Sequence, residues 1–152
     1  MKLNKLLSLK QKNVIITGGA GYLGTAMSEA IAEMGANLII CSRNLNNCEK
    51  LVESLSSQYS SKIKAFQVDI GDSESVEQLY KQVKYEFGTV DVLINNAYFG
   101  AGKEFLDMKE IEWKKGIEGS IDIVYRMTKR FLPDMIQKGK GNIINISSMY
   151  GL

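Results

Sequence analysis

The segment "TGGAGYLG", residues 17–24, has the composition of an anion cradle. Gly18 lets the chain reverse. Gly21 lets backbone N–H groups approach a pyrophosphate with no Cβ in the way, and Gly24 lets a following helix pack closely on its strand. A helix that starts here points unpaired N–H groups and the positive end of its dipole at the same anion. The expected phosphate-facing set is Gly18, Gly19, Gly21, Tyr22, Leu23 and Gly24. Further along, "CSRN" places Ser42 and Arg43 at the end of a second apolar run, with no Asp or Glu at its tip. An acid there suits a ribose 2′-hydroxyl, whereas a guanidinium suits a 2′-phosphate by charge and fork geometry. The expectation is a dinucleotide site that favours NADP, with NAD as the alternative.

The chain contains no histidine. Proton transfer within it must use Tyr, Lys, Ser, Asp or Glu, and histidine-ligated metal sites are excluded. Cys41 and Cys48 lack the spacing of a zinc knuckle or a Cys-x-x-Cys pair. They read as reduced thiols of a cytoplasmic protein, Cys41 in the core and Cys48 on a helix, and no metal is expected. Nineteen Lys and Arg against 17 Asp and Glu give a formal charge of +2, which favours neither nucleic acid nor an anionic membrane as partner. The opening "MKLNKLLSLKQKN" breaks its leucines with lysines and polar residues, so no signal peptide is predicted, and no apolar run approaches a membrane span.

The elements that must carry these residues follow from periodicity. Unbroken apolar runs at 13–17, 37–41, 64–68, 90–94 and 142–146 predict strands covered on both faces. Between them, Leu23, Ala26, Met27, Ala30, Ile31 and Met34 form one helical face, closed by Gly35. Cys48, Leu51, Val52, Leu55 and Tyr59 predict a second helix. Val76, Leu79, Tyr80, Val83 and Phe87 predict a third, with Asp72 or Ser73 as N-cap and Gly88 as stop. A long helical stretch from about Ile111 towards Gln137 carries Ile117, Ile121, Val124 and Phe131, with Pro133 expected to kink or end it. At 152 residues, the βαβαβαβαβ pattern is one domain with a doubly wound parallel sheet.

As an ordered set, these motifs resemble the short-chain dehydrogenase/reductase family in its compact, single-domain branch. "LLSLKQKNVIITGG" resembles that family's opening strand and glycine turn. "VDI" resembles its adenine-side motif, which implies a cofactor contact for Asp69 and Ile70. "NNAY" resembles its Asn-Asn-Ala-Gly signature, with Tyr98 in place of the glycine, and implies that Asn96 and Ala97 lie beside the cofactor ribose. "GKGNIINISS" resembles the strand leading to the catalytic serine, which falls on Ser148. Seven residues after Trp113, where the family has an asparagine that helps hold a relay water, this chain has Ser120. A weak hydrogen bond in place of that asparagine and a merely polar helix residue are both open readings.

The resemblance implies a Rossmann-type fold and NADP-dependent hydride transfer on a small carbonyl or alcohol, a sugar derivative among the candidates. It also implies a homo-oligomeric parent. The family's Tyr-x-x-x-Lys helix follows the catalytic serine, and the chain reaches only Leu152. Tyr150 reads as a loop residue and not as the base. The expectation is a domain spanning 1–152, incomplete after its fifth strand and inactive by itself. The alternatives are a non-catalytic dinucleotide-binding or interaction module, and a nucleotide-sugar epimerase or dehydratase of the extended branch. The "NNAY" segment speaks against the latter.

Overall fold

In the computed structural model, which describes residues 8–100 and 102–148, five parallel strands form one sheet in the order β3-β2-β1-β4-β5. The strands are β1 (Asn13–Thr17), β2 (Asn37–Ser42), β3 (Ile63–Gln67), β4 (Val92–Asn95) and β5 (Asn142–Asn145). The helices are α1 (Tyr22–Glu33), α2 (Leu45–Gln58), α3 (Ser73–Phe87), α4 (Glu110–Ile117) and α5 (Ile123–Lys138). A π-helical segment, Glu118–Asp122, joins α4 to α5. Tyr150 lies outside the described residues. No described helix is long and apolar enough to cross a membrane.

A core on each face of the sheet explains the apolar runs of β1, β2 and β4, whereas the edge strands β3 and β5 depart from the expected two-sided cover: β3 is buried only in part and β5 is largely exposed. Val14, Ile16, Leu38, Ile40 and Ile94 pack with Ile31 and Ala32 of α1 and with Cys48 and Leu55 of α2. Their neighbours Ile15, Ile39, Cys41, Phe66 and Leu93 pack with Val76, Leu79 and Val83 of α3 and with Met127 and Phe131 of α5. Side chains alternate across a strand, so both sets must be apolar when both faces are covered. Chain order reverses between β1 and β4, and that switch point opens a crevice beyond their carboxyl ends.

Helix ends follow the local signals. Asp72 caps α3 by accepting from the N–H groups of Glu74 and Ser75, at 3.2 and 3.0 Å. Gly35 and Gly88 hold positive φ of 83° and 76° just beyond α1 and α3.

Two further expectations need correction. The apolar face assigned to α1 packs only in part, through Ile31 and half-buried Met27. Leu23, Ala26, Ala30 and Met34 are exposed, and the buried residues are Gly24, Ser28, Ile31 and Ala32. This helix approaches the glycine turn so closely that only small side chains fit. A Cβ on Gly24 would overlap the Gly18 carbonyl, and the Ser28 hydroxyl donates to the Gly19 carbonyl at 3.0 Å. The long helix is also not broken at Pro133, which lies inside α5 on an exposed turn. Its ring costs the bond to the carbonyl of residue 129, and solvent can satisfy that group. Helix α5 continues to Gly139, φ +70°, and the departure from α-helical geometry falls at Glu118–Asp122. That shift leaves Ile121 exposed, while Phe131 is buried as expected.

Candidate functional site

A cleft of about 1060 Å³ lies at the switch point, bordered by the carboxyl ends of the strands and the start of α1. Of the residues singled out in the sequence, Gly18, Gly21, Tyr22, Leu23, Gly24, Ser42, Arg43, Ile70, Asn96, Ala97, Ser120 and Ser148 border it. Gly19 and Asp69 do not. Gly19 is buried beneath the turn, where a Cβ would come within 2.7 Å of Ile16 Cγ2.

The glycine turn has the expected geometry of a close-approach loop. Gly18 adopts φ +64°, and its N–H donates to the Cys41 carbonyl at 2.7 Å. Gly21 is the N-cap of α1 and offers no side-chain cap. Among the described residues, nothing accepts from the N–H groups of Tyr22, Leu23 and Gly24. Helices α2 and α3, by contrast, are capped by Asn44 and Asp72. The start of α1 therefore presents three open donors and a positive dipole end to the cleft.

A residue that sequence reading passed over ties this turn to β4. Thr17 is buried, and its Oγ1 accepts from the N–H groups of both Asn96 and Ala97 at 3.0 Å. Its hydroxyl donates to the Ile94 carbonyl at 3.4 Å. Asn96 reciprocates through Nδ2, which donates to the carbonyls of Thr17 and Gly18 at 3.0 and 3.1 Å. Asn95 Nδ2 donates to Asn145 Oδ1 at 2.9 Å and to Thr128 Oγ1 at 3.4 Å. The "NNA" segment thus locks β1, β4 and β5 together along the cleft floor.

At the β2–β3 end, Arg43 is exposed and its Cζ lies 5.4 Å from the centroid of the Phe99 ring. Gln67 Nε2 donates to the Arg43 carbonyl at 3.1 Å. The Ser42 hydroxyl donates to the Asn44 carbonyl at 3.0 Å and lies 3.2 Å from Cys48 Sγ. It serves the β2–α2 turn. Asp69 Oδ1 accepts from the Gly71 N–H at 2.9 Å, while its neighbours Val68 and Ile70 face the cleft. Burial pushes the Cys41 thiol far up, with the Cys48 thiol adding to the effect. Burial also raises Cys48, against an opposing hydrogen bond with Ser42. Both thiols are inert neutral groups at physiological pH.

At the other end, Ser148 is exposed and borders the cleft beside Ser147 and Ile146. Ser120 also reaches the cleft, but its hydroxyl donates to the Gly116 carbonyl at 2.6 Å, within its own helix. Its proton is committed there, and only its lone pairs face outward. Two Tyr-x-x-x-Lys spacings occur in the chain, and neither borders the cleft. Tyr80 and Lys84 both donate to Asp134, at 3.0 and 2.6 Å, between α3 and α5. Tyr125 and Lys129 lie exposed along α5 with Lys129 Nζ donating to the tyrosine oxygen at 2.9 Å, a bond that raises the lysine pKa. Among the described residues, no group of three or more acidic or thiol side chains could hold a metal ion.

The fold and the cleft define an α/β protein of the Rossmann type. Comparison with known proteins carries this further. The sequence model of short chain dehydrogenases matches residues 12–152. The 3-oxoacyl-[acyl-carrier-protein] reductase FabG of Haemophilus influenzae is 32% identical over 143 residues, 94% of this chain and 57% of that protein. A metagenomic short-chain oxidoreductase solved in complex with NADP superposes with a TM-score of 0.85 at 26% identity, covering 93% of this chain and 64% of its own. The L-sorbose reductase of Gluconobacter frateurii, complexed with NADPH and L-sorbose, superposes at 0.87 with 25% identity, covering 94% of this chain and 54% of its own. The chain belongs to the short-chain dehydrogenase/reductase family. It spans a little over half the length of the curated relatives it matches.

Proposed function

We propose that this chain is an NADP(H)-binding domain, residues 1–152, of an oxidoreductase acting on a small carbonyl or alcohol compound. The observation that carries the reading is the cleft. It has uncapped helix donors over a glycine cradle in its middle, the guanidinium of Arg43 at one end and a serine at the other. The donor set fits a dinucleotide. The N–H groups of Tyr22, Leu23 and Gly24 would hold the pyrophosphate, and Gly21 keeps a Cβ out of its path. Arg43 would pair with the 2′-phosphate, Val68 and Ile70 would flank the base, and Asn96 and Ala97 would lie beside a ribose. NADP(H), when bound, supplies or accepts a hydride at its nicotinamide ring. Ser148 would donate a hydrogen bond to the substrate oxygen and stabilise the charge that develops there.

The NADP and NADPH complexes of the structural relatives support this cofactor over NAD. The L-sorbose reductase and the 3-oxoacyl-[acyl-carrier-protein] reductase among the relatives support a carbonyl substrate, a sugar derivative included. The whole protein is inferred to be a homo-oligomer. Exposed Ile121 of the π-helical segment and exposed Tyr125 and Ile136 of α5 support that reading. Two buried, unpaired cysteines fit a cytoplasmic location.

The test is Gly21→Val. Its Cβ would sit 3.1 Å from the Gly18 carbonyl and carry branched carbon towards the open donors. NADPH fluorescence titration is expected to show binding by the wild-type chain and none by the variant. A folded variant that binds as well as wild type would overturn the reading.

A further inference from the structure

This inference rests on the dinucleotide reading and concerns how the same cleft sets its cofactor preference. An arginine at an exposed loop tip has many rotamers, and ordering it opposes binding. Arg43 is not left in that state. Its guanidinium lies over the Phe99 ring, and among the described residues no carboxylate forms an ion pair with it.

Phe99 is itself held through its backbone and its ring. Its N–H donates to the Gly119 carbonyl at 3.2 Å. Gly119 belongs to the π-helical segment, and a Cβ there would overlap the Phe99 carbonyl. A Cβ on Gly71, just beyond β3, would lie 3.8 Å from Phe99 Cζ. The ring also packs on the core between the sheet and helices α3 and α5. Phe99 therefore reaches from the end of β4 across to the β2–β3 side of the cleft and presents a fixed aromatic face to Arg43.

We propose that Phe99 is a positioning residue for cofactor preference: it orients Arg43 towards the 2′-phosphate of NADP(H). The two contacts do not compete. The ring attracts the charge of the guanidinium and takes up none of its N–H groups in a directed hydrogen bond, whereas a phosphate binds the N–H edge. A ring fixed by the fold lowers the ordering cost of Arg43 before the cofactor arrives. The gain falls on NADP(H) alone, because NAD(H) has no group for Arg43 to meet.

Calorimetric titration of NADPH and NADH tests this with wild type, Phe99→Leu, Phe99→Trp, Arg43→Ala and the Arg43→Ala/Phe99→Leu double variant. Leucine keeps an apolar side chain without the π face, and tryptophan keeps the face. Phe99→Leu is expected to weaken NADPH by roughly two- to fivefold and leave NADH unchanged. Phe99→Trp is expected to retain the preference. In the Arg43→Ala background, Phe99→Leu is expected to have no further effect on NADPH. Circular dichroism checks folding, and Phe99→Met takes the place of leucine if that variant unfolds. Equal weakening of both cofactors, or an undiminished loss in the Arg43→Ala background, would make Phe99 a cleft wall and overturn the proposal. A wild-type preference for NADPH that Phe99→Leu leaves intact would overturn it as well, while sparing the dinucleotide reading. Binding of neither cofactor by wild type would overturn both.

Discussion

Replacing Thr17 by valine removes one oxygen from the cleft floor and keeps nearly the same volume. The consequence can be worked from the hydrogen bonds. Thr17 Oγ1 accepts from two backbone N–H groups, those of Asn96 and Ala97, each at 3.0 Å. Leaving a buried donor unsatisfied costs about 1–3 kcal/mol. Asn96 and Ala97 are only half-buried, so water can partly replace the lost acceptor. The lower half of that range applies, about 2–4 kcal/mol for the pair. Loss of the longer bond to the Ile94 carbonyl adds little. Against a total stability of about 5–15 kcal/mol, that is a severe loss. Urea unfolding followed by circular dichroism measures it. Thr17→Ser is the control: it keeps the acceptor and loses one methyl, for about 1 kcal/mol. The expected order of stability is wild type, then serine, then valine. A valine variant within about 0.5 kcal/mol of wild type, the range of an ordinary surface change, would refute the view that Thr17 ties the "NNA" segment to the glycine turn.

Two further outcomes are expected. Burial pushes the Asp91 carboxyl up, but bonds from Lys138 Nζ and the Asn13 N–H, with the charges of Lys138 and Lys12, outweigh it and hold it below its ordinary value. A depressed carboxyl stabilises the fold above its unfolded pKa, about 3.9, and that contribution is lost as pH falls through the lower folded value. Asp91→Asn should therefore lower the melting temperature at neutral pH, with the gap to wild type closing below about pH 4; a gap that stays constant from pH 7 to pH 3 would contradict this. Residues 1–152 with NADPH and a panel of carbonyl compounds should show no appreciable NADPH oxidation, because neither Tyr80 with Lys84 nor Tyr125 with Lys129 reaches the cleft. Sustained turnover, abolished by Tyr80→Phe or Tyr125→Phe, would show that a second arrangement of these helices exists.

Much of the fold was legible in one dimension. The strands at 13–17 and 37–41 are apolar without alternation because helices cover both faces, and such a run needs no partner to be recognised. The glycine turn was legible because each glycine answers a local demand, as the positive φ of Gly18 shows. The buried face of α1 was legible only in part. Periodicity selects large apolar residues such as Leu23 and Met34, while a helix pressed against a turn selects the smallest, Gly24 and Ser28. Thr17 escaped notice because its partners lie 79 and 80 positions away. The Arg43–Phe99 contact joins two loops in the same way, and no local pattern marked it. Both readings of Ser120 stayed open in the sequence, because the direction of its hydroxyl depends on a rotamer within a π-helical turn that no composition signal marked.

The central claim is that the cleft binds a dinucleotide and that Arg43 reads its 2′-phosphate. Calorimetric titration of the wild-type chain and Arg43→Asp with NADP⁺ and NAD⁺ tests it most directly. The account predicts tighter binding of NADP⁺ by wild type, and loss or reversal of that preference in the variant, where attraction is replaced by repulsion. Equal affinities in wild type with no change in Arg43→Asp, or no binding of either cofactor, would contradict it.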